Sequence, residues 1–163
     1  MKYEPIAVVG MACRFPGADD LDAFWSNLLS SVDAITPVPE TRWDVDKHYD
    51  EFMGTPGKMY TKQGGFIKGI DLFDADFFNI SDRQANHLDP QHHLLLTTTW
   101  RAFENAGINL REQSDKSCGV FVGIGSQDYT YLQLLDSSPG DLSQVNVKKG
   151  SWMDCFLIKQ PVN

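Results

Sequence analysis

Lysine and arginine are scarce in this 163-residue chain, 14 against 22 aspartates and glutamates, for a net charge of −8. Nucleic-acid binding relies on clustered basic side chains meeting phosphates, so this balance argues against a nucleic-acid partner. Cysteine is scarcer still. Cys13, Cys118 and Cys155 are an odd, widely spaced set with no CxxC pair, which argues against a disulfide framework and a cysteine-based zinc site and fits reduced thiols in the cytoplasm. No apolar run is long enough to span a bilayer. The first, in MKYEPIAVVGMACRF, is short and preceded by Glu4, so neither a signal peptide nor a membrane segment is expected. Internal repeats and low-complexity tracts are absent as well.

What is present is the composition of a globular protein, 42% hydrophobic and 22% charged. The charge is uneven: residues 1–132 carry the whole of the −8, and residues 133–163 are neutral with three charges of each sign. Residues 6–11 are apolar, β-branched and closed by Gly10 and Pro16-Gly17, which predicts a strand buried on both faces in a mostly parallel sheet. Asp19 or Asp20 then caps a helix with an apolar stripe of Leu21, Phe24, Trp25, Leu28 and Leu29.

Residues 36–69 read as a long irregular stretch, broken by eight prolines and glycines yet carrying Trp43, Tyr49, Phe52, Tyr60 and Phe66. Loops of that length are functional or packed. Ser81 and Gln84 have the spacing of a capping box. Asp89-Pro90 predicts a second N-terminus, for a helix running to about Ala106 and stopped by Gly107, with Leu95, Leu96, Thr99, Trp100 and Phe103 inward. Residues 118–123, CGVFVG, predict a second buried strand.

Four features invite a chemical reading. Gly123-Ile124-Gly125 suggests a dinucleotide loop, but Asp128 occupies the position where that fingerprint needs a small residue, and its charge opposes a pyrophosphate. Residues 10–17 lack the Gly-Lys-Ser/Thr ending of a phosphate loop, so turn glycines explain both sets. His92 and His93 are neighbours, pointing about 100° apart on a helix, and Asp89 with His92 at i, i+3 supplies only two ligands. Surface or partly packed histidines are the simpler account. Cys13 and Cys118 sit in or beside apolar strands, where thiols behave as small buried hydrophobes with raised pKa, and a nucleophile needs an activating base that no spacing here provides.

Several long runs together resemble the start of a β-ketoacyl synthase (ketosynthase) domain of the modular polyketide synthase type, in the thiolase-fold superfamily. They are EPIAVVGMACRFPGADDLDAFWSNL from Glu4, VDAITPVPETRWDVDKHYD from Val32, GTPGKMYTKQGGFI from Gly54, FDADFFNISDRQANHLDPQHHLLL from Phe73, WRAFENAGI from Trp100 and GVFVGIGSQDY from Gly119. The resemblance implies an α/β fold: a partial thiolase-like fold, the incomplete first half of the ketosynthase α/β sandwich. It assigns residues 1–142 to the ketosynthase N-terminal segment and leaves 143–163 as an unrelated tail. His92-His93 stand where an arginine-bearing run is more usual.

The implied family reaction is decarboxylative condensation of an acyl thioester with a malonyl-type extender. A cysteine takes the acyl group from a phosphopantetheinyl acyl carrier protein, and two histidines assist decarboxylation and stabilise the enolate and oxyanion. The DTACSS-like, HGTGT-like and GH-containing runs that carry those residues do not occur here. Cys155, in WMDCFLI, lacks the alanine before and serines after it. The expectation is therefore a ketosynthase start, truncated before the catalytic cysteine, with no catalytic, cofactor-binding or metal residues, no cofactor in this chain, and no activity alone. The carrier protein or other synthase chains are the implied partners, intact members being homodimers.

Two other readings stand beside it. A non-catalytic module could dock a synthase or carrier chain, or complement a separately encoded remainder, given a basic cluster of Lys58, Lys62 and Lys68. An altered site could use one of the three cysteines.

Overall fold

The computed structural model describes residues 5–110, 118–125, 128–129 and 159–161. In chain order its elements are β1 (Ile6–Val8), α1 (Leu21–Leu29), β2 (Ile35–Pro37), α2 (Val45–His48), β3 (Gln63–Gly65), α3 (Asp82–His87), α4 (Pro90–Asn105) and β4 (Lys159–Pro161). They fall into two units, Cys13–Gly69 and Met1–Ala12 with Ile70–Asn163.

In the first unit α1 begins where expected. Asp20 is extended and its carboxylate accepts from Ala23 N–H at 2.8 Å, satisfying one of the helix's orphan donors. At the other end Val32 N–H bonds Asn27 O at 2.9 Å and Ser31 N–H bonds Leu28 O at 3.2 Å. This is a Schellman ending, with Ser31 in the left-handed region at φ 51. A Cβ is penalised there, so Ser31→Gly is expected to stabilise the chain by about 0.5–1 kcal/mol. The check is the urea midpoint, which should rise; an unchanged or lower midpoint would contradict the strain argument.

The expected apolar stripe of α1 is only partly covered. Phe24 lies 4.7 Å from Phe15, ring centre to ring centre, but Trp25 and Leu29 are 62% and 69% exposed. Where the sequence suggests an irregular stretch, β2 and β3 pair antiparallel, Ile35 opposite Gly65 and Pro37 opposite Gln63. Val38 N–H to Lys62 O, at 3.0 Å, extends the ladder. Pro37 is tolerated because the sheet has two strands and both are edges. The aromatic residues of the stretch are used for anchoring: Trp43 meets Phe66 edge-on at 6.1 Å, and the Arg42 guanidinium donates to Ile67 O at 2.6 Å.

In the second unit α3 carries the predicted capping box. Ser81 Oγ accepts from Gln84 N–H at 3.3 Å, and Gln84 Oε1 accepts from Ser81 N–H at 3.3 Å. α4 is capped by Asp89, which accepts from Gln91 N–H at 2.8 Å. It ends in a second Schellman motif: Ile108 N–H to Phe103 O and Gly107 N–H to Glu104 O, both 3.0 Å, with Gly107 at φ 65. Ala102 on this helix is fully buried, while Leu95, Leu96, Thr99, Trp100 and Phe103 are half-buried. The chain just after β1 rests on the last turns of α4. Gly10 is buried against Ala102 and Ala106, and Met11 N–H bonds Asn105 Oδ1 at 3.0 Å.

Two strand expectations are corrected. β1 is a strand, but it pairs antiparallel with β4, Ile6 opposite Pro161, and Ile6 and Val8 are each 52% exposed. Residues 118–125 form no strand, and Phe121 is 86% exposed. A β-strand has no hydrogen bonds of its own; its state is set by whichever backbone lies beside it. No parallel neighbour lies beside either segment among the described residues. The proposed boundary after residue 142 falls outside the described residues. Among the described residues no helix is long and apolar enough to cross a membrane.

Candidate functional site

Cys13 lies between β1 and the turn at Pro16-Gly17 and is half-buried. Burial pushes its thiol pKa up, and the carboxylate of Asp20, fixed as the cap of α1, pushes it further the same way. Both effects oppose formation of the thiolate, which is the reactive form. Cys118 is exposed, its sulfur 3.8 Å from the carbonyl oxygen of Gly119. Cys155 lies outside the described residues.

Gly123, Ile124 and Gly125 lie in irregular backbone, not at a strand-to-helix turn. A phosphate cradle depends on that turn to aim backbone N–H groups. Among the described residues no group of three or more His, Cys, Asp or Glu side chains is placed to hold a metal ion. Of the three lysines considered as a docking cluster, Lys58 donates to Lys47 O at 2.6 Å. Lys62 is bound to Asp46 at 2.9 Å and sits 4.3 Å from the Tyr49 ring centre. The backbone carbonyl of Lys68 receives Arg14. The Lys58 and Lys62 contacts tie residues 46–49 to 58–62, so these two lysines act in part as internal fasteners.

The adjacent histidines have different surroundings. His92 is exposed, whereas His93 lies on the inner side of α4. Its ring stacks on Phe73 at 4.1 Å with an interplanar angle of 8°. Phe73 in turn stacks on Phe78 at 5.2 Å, Phe78 meets Phe77 edge-on at 5.0 Å, and Phe77 meets Trp100 edge-on at 4.7 Å. His93 and Trp100 are seven residues apart, two turns along one face of α4, and the aromatic segment 73–78 spans the distance between them. His93 Nε2 lies 3.1 Å from Ala85 O, and its Nδ1 is enclosed with no partner. Burial, reinforced by the positive form of His92, pushes the His93 pKa down; the Ala85 bond and Asp89 oppose this. The sequence reading leaves His93 as one of two ordinary histidines. The i, i+7 relation to Trp100 is the signal that separates it from His92.

The comparisons with known proteins agree with the runs quoted from the sequence. Residues 3–157 match the family model of the β-ketoacyl synthase N-terminal domain. A phenolphthiocerol/phthiocerol polyketide synthase of Mycobacterium tuberculosis is 47% identical over 132 residues, which are 80% of this chain and 7% of that protein. Polyketide synthase PksL of Bacillus subtilis is 44% identical over 126 residues, 77% of this chain and 3% of that protein. Among solved structures, an oxazolomycin ketosynthase domain of Streptomyces albus superimposes with a TM-score of 0.75 at 40% identity. The match covers 82% of this chain and 24% of that one. The ketosynthase from module 6 of the bacillaene synthase of B. subtilis gives 0.71 at 44% identity, covering 76% and 21%. The chain thus spans a small fraction of the synthases it matches and about a quarter of a ketosynthase domain, and the fold is a partial thiolase-like α/β fold. The chain belongs to the β-ketoacyl synthase family, within its N-terminal domain.

Proposed function

We propose that these 163 residues supply the N-terminal scaffold segment of a ketosynthase domain and hold no acyl acceptor of their own. The observation that carries this reading is a family match over residues 3–157 in which none of the three cysteines stands in a DTACSS-like run; burial and Asp20 also raise the pKa of the Cys13 thiol. A ketosynthase nucleophile needs the opposite environment. The condensation then belongs to a cysteine and two histidines in sequence unlike any run present here. The partners of that reaction are an acyl carrier protein bearing phosphopantetheine and the other domains of a synthase, in the cytoplasm. Residues 143–163 are read as a separate tail. The family model itself continues to residue 157.

The purified chain, mixed with an acyl thioester and a malonyl-loaded carrier protein, is expected to release no carbon dioxide and form no ketoacyl product. Product formation that disappears on replacing one of Cys13, Cys118 or Cys155 by alanine would overturn the reading.

A further inference from the structure

We propose that His93 is an acid-released latch, holding α3 and the 73–78 segment on α4 only while its imidazole is neutral. Three observations meet at this ring: the bond to Ala85 in α3, the flat stack on Phe73, and the enclosed Nδ1. A carbonyl oxygen only accepts, so the Ala85 contact assigns the neutral ring's proton to Nε2 and leaves Nδ1 a bare lone pair. Protonation would place a second N–H, and a full charge, where nothing accepts a bond. A cation over the face of Phe73 gains less than an enclosed donor without an acceptor loses. Opening the contact and giving Nδ1–H to water relieves that loss.

The charged surroundings set the direction. Asp89 favours the charged ring, but its carboxylate is already engaged by Gln91 N–H and by Gln91 Nε2 at 3.1 Å. His92, next in sequence, disfavours it. On α3 the ionisable residues Asp82, Arg83 and His87 are exposed, as are Asp74 and Asp76 beside the aromatic segment. The native pKa therefore lies below the unfolded one. For a depressed imidazole, the stability conferred is complete above the ordinary value of 6.5 and is lost as pH falls through and below it.

The test is NMR on the full chain between pH 7.5 and 5, following the imidazoles of His48, His87, His92 and His93 and the amide exchange of residues 82–88. His93 is expected to titrate below the ordinary imidazole value of 6.5. Exchange in α3, corrected for its intrinsic pH dependence, should quicken at low pH, by up to about tenfold for each unit of depression. His93→Phe keeps a ring against Phe73 and should abolish the pH dependence; His92→Gln should retain it. A His93 titration at or above the ordinary value of 6.5 overturns the proposal, as does acid-quickened exchange that survives His93→Phe. If His93→Phe does not fold, the titration of the unaltered chain decides.

Discussion

Replacing Gly10 by alanine is expected to destabilise the chain by about 1–3 kcal/mol, the range for forcing a methyl group into a filled contact. A Cβ on Gly10 would lie 2.6 Å from the Cβ of Ala106 and 3.0 Å from its backbone nitrogen, and would run into the Ala102 carbonyl. These atoms belong to the end of α4, where Ala102 is fully buried and the helix is closed by two Schellman bonds. Backbone so held has little freedom to retreat. The chain would have to lift off α4 instead, weakening the Met11 to Asn105 bond as well. Adding Ala106→Gly removes one of the obstructing groups and should recover part of the loss, leaving the clash with Ala102 O. Urea midpoints of the single and double variants provide the measurement. A Gly10→Ala midpoint equal to that of the unaltered chain would show that the segment after β1 does not rest on α4 as described.

Unfolding of the whole chain is expected to be broad, with an m-value well below that of a complete domain of similar length and with marked binding of an apolar dye. The buried hydrophobic residues among those described are Ala18, Ala75 and Ala102, and no large side chain among them is fully buried. Each buried alanine removes little apolar surface from water, whereas a buried Leu or Phe contributes about 1.5–3 kcal/mol. Trp25, Leu29, Phe52, Met53, Leu72 and Phe121 are all more than 60% exposed. Apolar area of this kind stays in water in both states, so it adds neither stability nor denaturant dependence. Urea unfolding followed by fluorescence and by circular dichroism would check the prediction. A single steep transition, coincident in the two signals, would contradict it.

Helices α1, α3 and α4 were legible in the sequence because their signals are local, whereas the four-residue α2, whose N-cap Asp44 makes no side-chain cap bond, was hidden in the stretch read as irregular. Asp20, Ser81 with Gln84, Asp89-Pro90 and Gly107 each act within one turn of where they stand, and each performs the expected capping role. Strands were not legible in the same way. Residues 6–11 and 118–123 share one apolar, β-branched pattern, yet the first contains a strand and the second does not, because pairing depends on distant backbone. β2 and β3 were hidden for a related reason. Gly64-Gly65 and Pro37 carry weak strand propensity, and their pairing spans the whole of the 38–62 connection. The family was legible in the long ordered runs, which the matches to polyketide synthases and ketosynthase structures bear out. Of the two histidines read together as surface or partly packed, His93 is the one that packs. Its distinction from His92 arises from Phe73, twenty residues away in sequence.

The central claim is that no cysteine of this chain accepts an acyl group, and intact mass spectrometry after incubation with an acyl thioester tests it most directly. Beside a thiol-blocked control and an unfolded sample, the account predicts no adduct specific to the folded chain. Any slow labelling should fall on the exposed Cys118 before Cys13, whose thiol pKa is raised by burial and Asp20. An acyl adduct confined to one cysteine and lost on unfolding would contradict the account, and would place a working nucleophile within these residues.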